Sequence, residues 1–228
     1  MSTQFVKLAR LAFLIAMVGL NGCSMFTPKP EVVDTQAGVL GPIPEALQQE
    51  YEEALSLMQA EEFLAAEEKL LAITVKFPAY AGPWSNLSIA QSKQEKFEQA
   101  LLSIDKALQQ DNEFCQAMSL KGIVLRELGK FKLAKEEYLA ALKCDPSDSL
   151  TLYNLGVLSD LYLHDNVTAL SYYQKFLITQ GEQQDETVKS WVVDLKRRVP
   201  AEALETPAQS IDEPVDNNAL ENQLAGEE

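Results

Sequence analysis

The sequence predicts an all-α fold in which short helical hairpins stack into a solenoid. Three phenylalanines recur at a fixed interval of 34 residues, namely Phe63, Phe97 and Phe131. Three alanines follow them at the same interval, namely Ala66, Ala100 and Ala134. A fixed period of this size is typical of repeat proteins, in which each unit buries its apolar face against its neighbours. Such stacks usually form binding surfaces rather than active sites.

The composition fits one folded domain with an acidic surface. Of the 228 residues, 46% are hydrophobic, which is enough to build a core. The 34 acidic residues outnumber the 19 basic ones, and the formal net charge is −15. Because this balance repels a phosphate backbone, we expect no nucleic-acid partner.

The first 22 residues have the pattern of a secretory signal peptide. Lys7 and Arg10 provide a basic start, and the uncharged apolar run Leu11–Leu20 follows. A basic segment before a short apolar segment is typical of the n- and h-regions of such signals. The apolar run is too short to span a bilayer, which requires about 20 apolar residues.

The four residues that follow the apolar run resemble the lipobox of bacterial lipoproteins. Leu20-Asn21-Gly22-Cys23 has an apolar residue three positions before the cysteine and a small residue just before it. The resemblance implies that Cys23 becomes the acylated first residue of the mature protein, with palmitate among its chains. Because Ser24 rather than Asp follows, it also implies anchoring in the outer membrane, facing the periplasm. The alternative is an uncleaved anchor with an unmodified Cys23.

Two segments lack the composition of a packed fold. Residues 23–44 contain four prolines and no helical periodicity, which predicts an extended linker after the lipidated cysteine. From Ala201 to Glu228 the chain has eight acidic residues and no Lys or Arg. With few large apolar side chains to bury, residues 200–228 are predicted to be a disordered acidic tail.

Residues 45–183 resemble the tetratricopeptide repeat (TPR) family, whose unit is a pair of antiparallel helices in 34 residues. The second unit carries the signature residues Trp84, Leu87, Phe97, Ala100 and Ala107. The third carries Gly122, Leu125, Phe131, Ala134, Tyr138, Ala141 and Pro146. The fourth carries Leu152, Leu155, Gly156, Ala169 and Tyr173, and a degenerate first unit keeps Phe63, Ala66 and Pro78. The resemblance implies a solenoid of about four helix-turn-helix repeats.

The fourth unit is one residue longer than the others. Ala169 and Tyr173 lie 35 residues after Ala134 and Tyr138, and we predict the extra residue in the turn 163–166. A capping helix is predicted at 184–199, since Val188, Trp191, Val192, Leu195 and Val199 form one apolar stripe.

The sequence carries no recognisable catalytic or cofactor site. His164 is the only histidine and falls in a predicted turn without an orienting partner. There is no glycine-rich phosphate loop and no metal-ligand spacing. We therefore expect no enzymatic activity, no cofactor, no metal and no small-molecule substrate.

Two cysteines besides Cys23 leave two interpretations open. In the repeat register, Cys115 begins one helix and Cys144 ends its antiparallel partner, so both lie at the same end of one hairpin. A disulfide is allowed in the oxidising periplasm. The alternative is a pair of small buried hydrophobic residues.

The TPR resemblance places the peptide-binding groove on the first helices of the units. The residues expected in the groove are Ser85, Asn86, Ile89, Ser119, Ile123, Arg126, Tyr153, Asn154 and Val157. In related domains, asparagines at such positions hydrogen-bond the backbone of an extended peptide. The alternative is that these residues follow the family pattern and face water or a neighbouring helix.

These observations predict a membrane-anchored periplasmic lipoprotein that acts as a scaffold. Its expected role is protein binding, as an adaptor or assembly factor for an envelope complex. Similar lipoproteins serve pilus, outer-membrane or cell-wall machinery, so the expected partners are other envelope proteins or peptides. The alternatives are a structural or oligomerising spacer, and an envelope enzyme with an unrecognised site.

Overall fold

The computed structural model describes residues 42–201. The predicted signal peptide, Cys23, most of the linker and the acidic tail beyond residue 201 lie outside this range. Within it there are nine α-helices and one π-helical turn, and no strand. They are α1 (Glu45–Gln59), α2 (Phe63–Lys76), α3 (Ala81–Lys93), α4 (Phe97–Gln110), α5 (Cys115–Glu127), α6 (Phe131–Cys144), α7 (Ser149–Val157), the π-helical turn (Leu158–Tyr162), α8 (Asn166–Thr179) and α9 (Glu186–Arg198). The predicted all-α fold class is confirmed.

The helices pair into four hairpins that stack in chain order. The pairs are α1 with α2, α3 with α4, α5 with α6, and α7 with α8. Each second helix also packs on the first helix of the following hairpin. In addition, α3 contacts α5 and α5 contacts α7, so successive first helices lie close together. This packing puts the first helices on the inner side of the stack.

The four hairpin turns share a left-handed residue at the equivalent position. Each turn has one residue in the left-handed region, namely Glu61, Glu95, Gly129 and His164, with φ between 52° and 71°. In the second hairpin, the N–H of Lys96 donates to the carbonyl of Gln91 at 3.0 Å and the N–H of Glu95 donates to that of Ser92 at 3.0 Å. This is the Schellman pattern, which satisfies the last carbonyls of a helix.

The extra residue of the fourth hairpin lies in the helix and not in the turn 163–166, where we predicted it. His164 is followed by one linking residue before α8 begins, as Gly129 is before α6. The inserted residue is absorbed by the π-helical turn, in which the N–H of Leu163 donates to the carbonyl of Leu158 at 3.0 Å. A single insertion widens one helical turn in this way, and the widening continues into the turn, where the N–H of Asp165 donates to the carbonyl of Ser159 at 2.8 Å.

Small residues lie where the two helices of a hairpin approach each other. Ala66, Ala100, Ala134 and Ala169 are fully buried. A Cβ atom built on Gly122 would lie 2.6 Å from Cδ1 of Tyr138, and one on Gly156 would lie 2.6 Å from Cδ1 of Tyr173. The glycines therefore permit a helix spacing at which the tyrosine rings pack directly on the backbone.

Helix α9 covers the open end of the fourth hairpin. The carboxylate of Asp185 caps its start by accepting from the N–H of Thr187 at 2.7 Å and that of Val188 at 3.1 Å. Its apolar stripe joins the cluster of α8, and Leu195 is completely buried. Among the described residues, no helix is both long and apolar enough to cross a bilayer.

A disulfide closes the third hairpin at the end opposite its turn. Cys115 at the start of α5 bonds Cys144 at the end of α6, with 5.6 Å between their Cα atoms. This separation lies within the usual range for bridged cysteines.

A buried polar network ties together α2, α3 and α4. The carboxylate of Glu67, with a side chain only 8% exposed, accepts from Nζ of Lys96 at 2.6 Å and Nε2 of Gln94 at 2.8 Å. Gln91 donates to Glu67 at 3.4 Å and accepts from the hydroxyl of Ser103 at 2.7 Å. Burial alone would raise the pKa of Glu67, but the hydrogen bonds and the charge of Lys96 outweigh it and lower the pKa.

Glu67→Gln is expected to make stability less dependent on pH. Because folding lowers this pKa, the ionised carboxylate adds stability above its ordinary pKa near 4.5, and that stability is lost as pH falls through the lower folded value. The substitution should therefore lower the free energy of unfolding at pH 7 by about 1–2 kcal/mol. The deficit should shrink under acid conditions. Urea unfolding at pH 7 and about pH 3 measures this.

The matched control is the exposed neighbouring carboxylate. Glu68→Gln removes the same charge from an exposed side chain of α2, so its effect should stay within about 0.5 kcal/mol at either pH. If Glu67→Gln lowered the free energy of unfolding equally at both pH values, ionised Glu67 would not contribute to stability in this way.

Candidate functional site

The candidate site is the surface that the first helices present on the inner side of the stack. Ile89 on α3, Ile123 on α5 and Val157 on α7 lie 34 residues apart and occupy equivalent positions. All three are half-buried. We call this row, together with the half-buried Asn86, Arg126 and Tyr153, the inner face.

Asn86 connects the inner face to the first hairpin. Its side-chain amide donates to the hydroxyl of Tyr51 on α1. Burial raises the pKa of Tyr51, and the hydrogen bond from Asn86 opposes that rise. The phenol therefore stays protonated at neutral pH.

Arg126 carries the positive charge in the middle of the inner face. Its Nη1 donates to Oδ1 of Asn154 at 3.2 Å, and its Nη2 donates to Oε1 of Glu127 at 2.9 Å. Asn154 also donates to the carbonyl of Leu150 at 2.9 Å. The guanidinium therefore lies between the third and fourth hairpins. It is held by Asn154 of the neighbouring helix α7 and by Glu127 of its own helix α5.

Three of the predicted groove residues point into the packing between helices. Ser85, Ser119 and Asn154 are 5%, 3% and 5% exposed. The hydroxyl of Ser119 accepts from Oγ1 of Thr151 at 2.6 Å, which links α5 to α7. A ligand would reach these three side chains only if the first helices moved, whereas the six inner-face residues keep partial access to solvent.

A pocket of about 530 Å³ opens at the C-terminal end of the inner face, where α7 and α8 meet α9. Its walls are formed by Tyr153, Val157, Tyr173 and Trp191. The ring centroids of Tyr173 and Trp191 are 5.4 Å apart, and those of Tyr153 and Trp191 are 6.3 Å apart. We call this space the C-terminal pocket.

The rim of the C-terminal pocket is polar on one side. It comprises Asp160 and Leu161 of the π-helical turn, His164 of the following turn, and Arg198 at the end of α9. Oδ1 of Asp160 lies 3.6 Å from Nη2 of Arg198. Burial raises the pKa of Tyr173, and the negative charge of Asp160 raises it further, so this tyrosine remains a neutral hydrogen-bonding group.

The sequence analysis did not single out Asp160, Tyr173, Trp191 or Arg198 as binding residues. One partial signal was present, because Asp160 lies 34 residues after Arg126, but it falls within the π-helical turn that absorbs the extra residue. Trp191 and Arg198, which α9 places at the pocket, carry no such signal in the sequence, since this helix lies outside the repeat period.

The side chains of these surfaces can make apolar contacts, hydrogen bonds and charge pairs. In residues 42–201 there is no group of three His, Cys, Asp or Glu side chains placed to hold a metal ion. The inner face offers aliphatic side chains, one amide, one guanidinium and one phenol. The C-terminal pocket offers aromatic rings beside a carboxylate, an imidazole and a guanidinium.

No family model and no curated protein matches the sequence. The fold, by contrast, matches solved structures. Pseudomonas aeruginosa PilF superposes with a TM-score of 0.61 at 22% identity, covering 68% of this chain and 69% of PilF. A tetratricopeptide repeat protein from Parabacteroides merdae gives 0.56 at 22% identity, covering 68% of this chain and 60% of its own. A chain of the APC/C hetero-tetramer Cut9–Hcn1 gives 0.59 at 16% identity, covering 67% of this chain and 30% of that one.

The chain therefore has the TPR solenoid fold, as its repeat signature predicted. At these identities the likeness concerns architecture, and the partners of this chain must be argued from its own surface.

Proposed function

We propose that this protein is an adaptor or assembly factor that binds other polypeptides along its inner face. The observation that carries the proposal is the row of Ile89, Ile123 and Val157, repeated by the 34-residue period on the inner side of the stack. An extended segment that crosses several hairpins meets an equivalent apolar contact at each one. Many weak, regularly spaced contacts suit the recognition of a protein rather than of a small molecule.

The fold that this chain shares with solved structures is compatible with a place in an assembly. One of them is part of a hetero-tetramer, Cut9–Hcn1. A half-buried apolar row that is interrupted by Asn86 and Arg126 also fits a protein ligand, because such interfaces combine apolar contact with a few directional polar bonds.

We further propose that the mature protein is held in the outer membrane by acyl chains on Cys23, with the folded domain facing the periplasm. The lipobox-like Leu20-Asn21-Gly22-Cys23 supports this proposal, as does the linker that follows it. More than one acyl chain gives stable attachment. The anchor would raise the effective concentration of the inner face near envelope partners, so that modest affinity suffices.

Site-specific photocrosslinking in bacterial envelopes tests the proposal. A photoreactive residue at Ile123 should capture a defined partner protein. The matched control is a photoreactive residue at Leu102, which is 68% exposed on the second helix of the preceding hairpin. It should not capture that partner.

A second arm of the same experiment separates the anchor from the binding surface. Adding Cys23→Ser to the Ile123 variant should move the protein out of the membrane fraction and reduce capture. Retention of the Cys23→Ser variant in the membrane fraction would refute the lipid anchor. It would not bear on the proposal that the inner face binds a partner protein.

A further inference from the structure

We infer that the C-terminal pocket binds an arginine side chain from a basic segment of the partner protein. The inference deepens the function proposed above and rests on it, since the pocket continues the inner face at its C-terminal end. The expected ligand group is a planar guanidinium that stacks on the accessible aromatic surface of Tyr153 and Trp191 and lies beside the carboxylate of Asp160.

The walls of the pocket suit a flat cation. The ring of Tyr173 is only 1% exposed and packs against those of Trp191 and Tyr153, with centroids 5.4 and 6.4 Å away, so no cation fits between these rings. Tyr153 and Trp191 are half-buried, and their accessible surface is the aromatic part of the pocket that a cation can reach. Aromatic faces attract cations through their quadrupole, with tryptophan the strongest. Guanidinium groups stack on such rings better than the more strongly hydrated ammonium of lysine does.

The carboxylate beside these walls is incompletely paired. The side chain of Asp160 is 12% exposed, and its contact with Arg198 is 3.6 Å long. A well-formed charge-assisted hydrogen bond of this kind measures about 2.7–2.9 Å. Asp160 therefore has the capacity to form a shorter bond with an incoming guanidinium.

Arg198 shows that a guanidinium reaches this carboxylate, and it has an alternative partner. Its Nε already pairs with Oδ2 of Asp194 at 3.0 Å, a shorter contact than the one to Asp160. When an arginine of the partner protein binds, Arg198 can keep its ion pair with Asp194 and release its contact with Asp160. In this account Arg198 is a weak internal competitor for the pocket.

The size and charge of the molecule favour the same occupant. The volume of about 530 Å³ falls within the range of roughly 300–1,000 Å³ that is typical of small-ligand pockets. The net charge of −15 attracts basic segments and repels acidic ones.

Titration of the full-length protein with three short peptides tests the inference. The peptides carry a single Arg, Lys or Phe in an otherwise uncharged Gly-Ser sequence, and binding is followed by the NMR signal of the Trp191 indole at low salt. The Arg peptide should bind about tenfold tighter than the Phe peptide, a difference of about 1.4 kcal/mol.

Two substitutions and one control locate the binding. Asp160→Asn should lower the affinity for the Arg peptide about tenfold. Arg198→Ala should raise that affinity, because the internal competitor for Asp160 is gone. Glu136→Gln, on an exposed side chain of α6, removes one negative charge at a distance and should leave the affinity unchanged. These variants change no apolar core residue, and circular dichroism checks their fold.

Several outcomes would overturn the inference. They are a Phe peptide that binds tighter than the Arg peptide, no binding of any peptide, unaltered affinity in Asp160→Asn, or weaker binding in Arg198→Ala. Failure here together with capture of a partner from Ile123 would refute the arginine pocket and leave the adaptor function standing. Binding of the Arg peptide with no capture from Ile123 would refute the adaptor function of the inner face.

Discussion

Gly122→Ala is expected to lower the free energy of unfolding by about 3 kcal/mol. The new methyl group would lie 2.6 Å from both Cδ1 and Cε1 of Tyr138. That ring is completely buried, so it cannot move aside without disturbing the third hairpin. The same contact recurs at Gly156 and Tyr173, so Gly156→Ala should cost a similar amount.

A glycine with a different role provides the control. Gly129 has a φ of 71°, and a Cβ built on it would meet nothing within 4 Å. Gly129→Ala should therefore lower the free energy of unfolding only by the cost of holding an alanine in the left-handed region, about 1 kcal/mol. Urea unfolding of the three variants measures this difference in the free energy of unfolding. An equal loss of stability in Gly122→Ala and Gly129→Ala would refute the role of close helix packing.

Cys144→Ser is expected to cost about 3–4 kcal/mol of stability, through release of a loop of 29 residues in the unfolded chain. The bond joins the start of α5 to the end of α6, so its loss frees the open end of the third hairpin. Unfolding should be followed with and without a reductant.

The reductant supplies the control for the disulfide. It should destabilise the unmodified protein by a similar amount and leave Cys144→Ser unchanged. Adding Cys115→Ser to Cys144→Ser should cost little more. Insensitivity of the unmodified protein to the reductant would show that the bond contributes nothing to stability.

The repeat period predicted the fold because it reports which faces of the helices pack together. Phe63, Phe97 and Phe131 each begin the second helix of a hairpin, and the alanines three residues later are fully buried. The position of the extra residue could not be predicted in this way. Widening the helix into a π-helical turn and lengthening the loop both give a period of 35, and the sequence does not distinguish them.

The candidate site was less accessible to sequence reasoning. The period identifies equivalent positions, but it does not say whether a small polar side chain faces solvent or a neighbouring helix. Ser119 bonds Thr151 instead of facing the solvent. The C-terminal pocket depends on where α9 comes to lie, and α9 has no equivalent in the earlier hairpins that would fix its register.

The two surfaces fit one model of binding. The inner face provides repeated apolar contacts along the stack, and the C-terminal pocket adds one charged anchor at its end. A basic segment that follows the first helices would engage both, and the two sites would then reinforce each other as linked contacts do.

Crosslinking from Ile123, compared with Leu102, is the most direct test of the central claim that the inner face binds a partner protein. The account predicts one defined product from Ile123 and its absence from Leu102. Equal capture of the same protein from both positions, or no specific product from Ile123, would contradict it.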